Sequence, residues 1–172
     1  MNKKIVLTLI CLIPLTTVFA QELKFGYYSR ADIFQSMPET IEAEKKLNQV
    51  TSDYKKEIEK IQEEYQKKGS DYMAGRDTMP EAIRVRREAE IQDIQQRLQS
   101  FYQDSQNDIK KQEEALIVPI NNKLDAAVKA VGNDNGFTLI FDTSSANNGL
   151  SFWSTDKCID VTNLVRAKLG LK

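Results

Sequence analysis

The sequence predicts an α+β protein in which one long antiparallel helical hairpin projects from a small β-sheet body. Two observations lead to this fold class. Strand-like segments occur only near the two ends of the chain, whereas residues 38–131 between them carry a helical apolar pattern. In addition, 28% of the residues are charged and there are only 7 Gly and 4 Pro, which favours long helices over a loop-rich β fold.

The first 20 residues have the parts of a secretory signal peptide. Two lysines precede the uncharged stretch 5–18, and Val18 and Ala20 place short side chains before a cleavage point. The apolar run is shorter than the ~20 residues that a transmembrane helix needs. We therefore predict a cleaved signal peptide at 1–20. The alternatives are a retained anchor or lipidation of Cys11, although Cys11 lacks a small residue before it.

The composition argues against a catalytic function and against nucleic-acid binding. The chain contains no histidine, which removes the commonest general base and metal ligand, so we predict no catalytic residue, no metal and no cofactor. Cleavage removes two lysines, and the mature net charge becomes 22 − 25 = −3, too low for bulk binding of phosphates. Cys158 is then the single cysteine and cannot form an intramolecular disulfide. It is either a small buried hydrophobe or an intermolecular or exposed thiol.

Short elements at the two ends form the predicted body. Aromatic and β-branched runs next to turn-forming segments, one of which is 146–149, predict three strands. These strands are 23–28, 137–141 and 150–153. The apolar spacing of 161–169 predicts a terminal helix, with Asp160 at its N-cap and Gly170 beyond its end.

The predicted division of the chain is a discontinuous body, 21–37 and 132–172, and an arm, 38–131, with its tip near 68–80. A three-stranded sheet with exposed edges is marginal alone, so we expect the body to oligomerise through its aromatic residues. The predicted assembly residues are Phe25, Tyr27, Phe137, Phe141, Phe152 and Trp153.

An eleven-residue apolar repeat runs along the arm and predicts two nearly straight helices packed along one narrow stripe. The stripe consists of Leu47, Val50, Tyr54, Ile58, Ile61, Tyr65, Ile91, Ile94, Leu98, Tyr102, Ile109 and Leu116. Outside it, pairs such as Glu42–Lys46 and Glu64–Lys68 predict a solvated face. We expect helix breaks at 68–70 and at 75–80 and, because proline removes a hydrogen bond, a kink or a break near Val118, where Pro119 bends the arm as it enters the body.

Several segments resemble the Skp/OmpH-like periplasmic chaperones, and the resemblance extends over essentially all of residues 21–172. No single motif is highly specific; the order of the segments after a signal peptide carries the resemblance. The segments are FGYYSRADIFQSMPE (25–39), PINNKLDAAVKAV (119–131), NGFTLIFD (135–142), FWS (152–154) and DVT (160–162).

This resemblance implies a periplasmic homotrimer whose helical arms enclose a cavity. Such proteins act without ATP as holdases for unfolded outer-membrane β-barrel proteins. Family members are often basic, whereas this mature chain carries −3, which weakens the case for electrostatic capture. The alternative is a structural coiled-coil envelope protein that binds no clients.

Apolar residues off the stripe are the candidate client contacts: Met73, Met79, Val85 and Phe101. The alternative for the two methionines is packing within the turn. The basic residues Arg84, Arg86, Arg87 and Arg97 correspond to the part of the arm thought to touch lipopolysaccharide in some family members. Nearby glutamates favour a solvated face of ion pairs instead.

Overall fold

The computed structural model describes residues 23–144 and 150–171. The predicted signal peptide, 1–20, and the turn segment 146–149 lie outside the described residues. In chain order the elements are β1 (Phe25–Tyr28), α1 (Arg30–Ser36), α2 (Pro38–Gly75), a 3₁₀ turn (Arg76–Thr78), α3 (Glu81–Asp134), β2 (Leu139–Asp142), β3 (Cys158–Asp160) and α4 (Thr162–Lys168). The predicted α+β class, a small sheet with a long helical hairpin, is confirmed.

The sheet has the order β2-β1-β3, and both outer strands run parallel to β1. Parallel neighbours need a crossover, and the whole helical hairpin forms the crossover from β1 to β2. At the centre of β1, a Cβ on Gly26 would lie 3.0 Å from the Phe137 ring and 3.1 Å from Val161 Cγ1. Only glycine lets these side chains approach the strand so closely.

One face of the sheet is covered by the body's helices. Tyr28 of β1 packs with α1, α4 and the adjoining ends of the two long helices, and burial of its hydroxyl raises its pKa. The side chains with no exposed surface in this core are Ile33, Met37, Leu124, Val161 and Val165. The roots of the hairpin helices therefore belong to the same hydrophobic core as the sheet.

The third strand was predicted in the wrong place. Residues 150–153 form no strand, and the edge of β1 pairs instead with Cys158–Asp160. The ring of Trp153 lies on the sheet, 6.2 Å from the Tyr27 ring and 6.0 Å from the Phe141 ring. The aromatic residues of 150–153 indicated contact with the sheet. They could not show whether this segment is a strand of the sheet or packs on the face of the sheet.

The predicted break at 68–70 is also wrong, and at Pro119 the helix does not break. Helix α2 continues through Gly69 to Gly75, because one glycine in a helix costs only about 1 kcal/mol. Helix α3 contains Pro119 and continues to Asp134. Ile120 and Leu124, directly after the proline, are buried in the body's core, which holds the helix in place beyond the missing hydrogen bond. With 38 residues, α2 is about 57 Å long.

Arg30 connects the root of the arm to the end of the sheet. Its guanidinium donates to Asp125 Oδ1 at 2.5 Å and to Asn121 Oδ1 at 3.0 Å, both on α3. Its backbone N–H donates to Asp142 Oδ1 at 3.0 Å, at the end of β2. The arm helix, α1 and the sheet are thus joined by one residue.

Candidate functional site

The seam between α2 and α3 follows the eleven-residue repeat. Between residues 44 and 119, which we name the outer arm, the buried side chains are Ile61, Ile94 and Ser105. Ile94 and Ser105 occupy the same place in successive repeats. Ser105 Oγ donates to the Tyr102 carbonyl at 2.8 Å, which satisfies this polar residue within its own helix. The other stripe residues are half-buried, with the exception of Tyr102: Leu47, Val50, Tyr54, Ile58, Tyr65, Ile91, Leu98, Ile109 and Leu116.

The structure places two neighbouring aromatic residues differently from their predicted positions. Tyr102, predicted in the stripe, is 54% exposed. Phe101, predicted as a client contact, packs edge-on against the Tyr54 ring at 5.8 Å between centroids. Adjacent residues point about 100° apart around a helix, and Phe101 is the one that reaches across the seam.

Polar contacts cross the seam beside the apolar stripe, and each ends on a carboxylate. Tyr54 Oη donates to Asp108 Oδ2 at 2.7 Å, and Lys68 Nζ lies 2.5 Å from Glu90 Oε1. Tyr72 donates to Glu88. The remaining cross-helix pairs are Arg97–Glu64 and Lys123–Glu39.

Of the two predicted i,i+4 ion pairs, one forms. Lys46 Nζ lies 2.8 Å from Glu42 Oε1, as expected. Glu64 and Lys68 do not pair with each other, because each contacts the opposite helix. Spacing within one helix could not show that each of these residues faces a charged partner on the opposite helix.

The tip carries exposed apolar side chains. Met73 is 67% exposed, and Val85 is also exposed. Met79 is half-buried and folds over Gly75, with its Cε 2.8 Å from where a glycine Cβ would stand. The sequence interpretation missed Ile83, which is exposed at the tip. The eleven-residue spacing to Ile94 predicts a seam position for Ile83, and it does not reveal that this side chain is exposed.

The arginines of the arm are mostly neutralised by ion pairs. Arg84 lies 2.6 Å from Glu81 and 3.4 Å from Glu88, and Arg87 lies 2.9 Å from Glu90. Arg97 contacts Glu64. Arg86 is exposed and makes no ion pair with another described residue. The geometry favours a solvated, charge-paired face over a concentrated anion site.

The face of the sheet opposite the helices is aromatic. Tyr27 and Phe141 stack at 6.2 Å under Trp153, whose Nε1–H is buried and has no acceptor in the part of the chain the structure describes. Phe152 is 79% exposed. Phe137 instead packs against the helical core, under Lys24 Nζ at 4.3 Å from its ring centroid. The predicted assembly residues therefore do not all share one face.

An apolar groove of about 410 Å³ lies beside the seam near the arm root, lined mainly by Val50, Ala115 and Leu116. Across residues 23–144 and 150–171, no cluster of three Cys, Asp or Glu residues could hold a metal ion. No helix within the same ranges is long and apolar enough to cross a membrane. The groove in this part of the arm therefore offers an apolar surface on which another apolar side chain could pack.

Comparison with known proteins identifies the family. A family model described as outer membrane protein (OmpH-like) matches residues 24–169. The chain belongs to the OmpH-like family. A solved structure from Caulobacter crescentus CB15, described as a candidate outer membrane chaperone (OmpH-like), shares the fold of this OmpH-like chain with a TM-score of 0.70 and 14% identity. The match covers 86% of this chain and 84% of that one. A search of curated proteins gives no match.

Proposed function

We propose that this OmpH-like chain is a periplasmic, ATP-independent holdase that keeps unfolded outer-membrane β-barrel proteins from aggregating. The observation that carries the proposal is a long hairpin arm whose apolar side chains stay partly accessible along its length. Family membership and the resemblance to Skp/OmpH-like chaperones support it. In this proposal the segment 1–20 directs export and is cleaved.

The mechanism follows from weak contacts repeated along the arm. Unfolded barrel strands alternate apolar residues and carry unpaired backbone groups, so they aggregate readily. Met73, Val85 and Ile83 are exposed at the tip, and Tyr102 is exposed farther along the arm. A methionine adapts its shape to varied partners. Met79 and Phe101 already have partners inside the hairpin, so we assign them secondary roles in client contact.

Assembly supplies the avidity that single weak contacts lack. We propose a homotrimer formed through the aromatic sheet face, in which Tyr27, Phe141 and Trp153 become covered and three arms surround a cavity. Among the described residues, β2 and β3 are the edge strands of the sheet and pair only with β1, which supports contact with further copies. Sedimentation at micromolar concentration tests the assembly, and a monomer there would contradict it.

Anionic lipid is a minor contact in the proposal. The exposed Arg86 and its charge-paired neighbours, described above, are its candidate residues. Because most of these arginines already pair with glutamates, we expect weak binding that salt abolishes.

An aggregation assay tests the holdase activity. A urea-unfolded outer-membrane barrel protein is diluted into buffer with the purified chain, and turbidity is followed. We expect suppression at a few-fold molar excess and weaker suppression by the double variant Met73→Ser and Val85→Ser. The control is Leu164→Ser, which changes an exposed apolar residue of α4, away from the arm. Unchanged aggregation with the wild type would favour a structural coiled-coil protein without clients.

A further inference from the structure

Asp125 pairs with Arg30 of α1, and ten other paired carboxylates of the arm fall into two classes of five. One class accepts a hydrogen bond or ion pair from the opposite helix: Glu39, Glu64, Glu88, Glu90 and Asp108. The other class pairs only within its own helix: Glu42, Asp53, Glu57, Glu59 and Glu81. The first class we name the seam carboxylates.

In the outer arm these carboxylates supplement a thin apolar stripe, most of whose residues are only half-buried. Its buried side chains are Ile61, Ile94 and Ser105, and one of the three is polar. The body, by contrast, contains ten buried residues in one cluster. A helical pair with so narrow an apolar stripe is held together in part by its polar contacts.

The contacts of Glu90 illustrate the expected effect of neutralising a seam carboxylate. Its two oxygens bridge Lys68 of α2 at 2.5 Å and Arg87 of α3 at 2.9 Å. Without the negative charge, two cations from opposite helices face each other across the seam. Glu88 has a similar place between Tyr72 of α2 and Arg84 of α3.

We propose that the arm is an acid-sensitive clasp, in which protonation of Glu39, Glu90 and Asp108 weakens the contacts between α2 and α3 while the body stays folded. The proposal concerns the chain alone and does not depend on any client.

The direction of the pH effect follows from the contacts. The hydrogen bond from Tyr54, and then that from Gln112, lowers the pKa of Asp108. Hydrogen bonds from Lys68, the larger effect, and from Arg87 lower the pKa of Glu90. The hydrogen bond from Lys123 lowers the pKa of Glu39. Groups whose pKa is lowered by folding stabilise the folded form above the unfolded pKa, and this stabilisation is lost as the pH falls through the folded values. The clasp is therefore closed at neutral pH, begins to weaken as the pH approaches the ordinary carboxyl pKa of ~4, and opens as the pH falls through the lower folded values.

The groups that face each seam carboxylate reinforce this direction. Glu64 faces Arg97, and Asp108 faces Tyr54 across the seam and Gln112 along its own helix, with Lys111 nearby. After protonation the charged groups left on the seam are cations: Lys68, Arg84, Arg87, Arg97, Lys111 and Lys123. Their mutual repulsion adds to the loss of the contacts.

A neutralised variant at constant pH separates the clasp from general acid denaturation. The seam variant carries Glu39→Gln, Glu64→Gln, Glu88→Gln, Glu90→Gln and Asp108→Asn. The control variant carries Glu42→Gln, Asp53→Asn, Glu57→Gln, Glu59→Gln and Glu81→Gln, with the same charge change and the same residue types. Each set also contains one first-turn glutamate, Glu39 or Glu81.

Hydrogen exchange of the full mature chain at pH 7, followed by mass spectrometry, measures the opening. We expect peptides of the outer arm to exchange about tenfold faster or more in the seam variant, and body peptides to stay within about twofold. The control variant stays close to the wild type throughout. Equal acceleration in both variants, or unchanged arm protection, would overturn the proposal. If the seam variant fails to fold, Glu90→Gln alone gives a local version of the same test, read in peptides around Lys68 and Arg87.

A second exchange measurement at pH 3.5, corrected for intrinsic rates, tests the acid step directly. Carboxyls whose pKa is lowered by folding are only partly protonated at this pH, so we expect arm protection of the wild type to fall part of the way towards that of the seam variant. A wild-type arm that stays fully protected at pH 3.5 would refute the switch.

Discussion

Replacing Ile94 by alanine should loosen the outer arm and leave the body intact. Ile94 is 4% exposed and is one of the buried residues of the seam. The change removes three buried carbons, and at ~0.8 kcal/mol for each the loss is about 2.4 kcal/mol. A cavity would add to this cost, but the half-buried neighbours Ile91 and Leu98 can close around the gap. We therefore expect a local loss of about 2–3 kcal/mol in the free energy of opening the arm.

Peptide-resolved hydrogen exchange at pH 7 measures this loss. Exchange around Ile61 and Ile94 should accelerate by a factor of about 30–150, while peptides around Leu124 and Val165 keep their rates. Tyr102→Ala is the control, because Tyr102 shares the repeat but is exposed, and it should cost less than about 1 kcal/mol. Equal acceleration by the two variants, or a loss of protection spread over the body, would refute the division between a thin seam and a separate core.

Three further predictions follow from single positions. Gly69→Ala should stabilise the arm by about 0.5–1 kcal/mol in urea unfolding, because nothing lies within 4 Å of the added Cβ. Gly136→Ala should destabilise the chain by about 1 kcal/mol or more in the same assay, because Gly136 has φ of +65° and ends α3; a neutral result would contradict the assigned backbone conformation. Arg30→Ala should cost about 1–2 kcal/mol by removing the contacts to Asp125 and Asn121, whereas Arg86→Ala, which breaks no ion pair with a residue that the structure describes, should be neutral; equal effects would count against the junction at Arg30.

The sequence predicted those features that depend on the order and spacing of side chains within one segment. The separation of strands from helices revealed the sheet body and the hairpin. The eleven-residue spacing revealed which side of each helix faces the seam, including buried Ile61 and Ile94. A hydrophobic period is a local property, so it survives without knowledge of the partner.

Features that depend on what lies opposite could not be predicted. Glu64 and Lys68 are spaced for an i,i+4 pair, yet each contacts the other helix because of the register of the hairpin. Phe101 and Tyr102 are adjacent aromatic residues, and the sequence could not show that Phe101 is the one that packs against Tyr54. Whether α3 breaks at Pro119 also depends on tertiary contacts, because packing in the body's core keeps the helix continuous there.

Native mass spectrometry with and without an unfolded outer-membrane barrel protein tests the central claim most directly, since it reports assembly and client binding together. The proposal predicts a trimer alone and a trimer bearing one barrel protein after mixing, both without nucleotide. A chain that remains monomeric, or a trimer that takes up no unfolded barrel protein at several-fold excess, would contradict it.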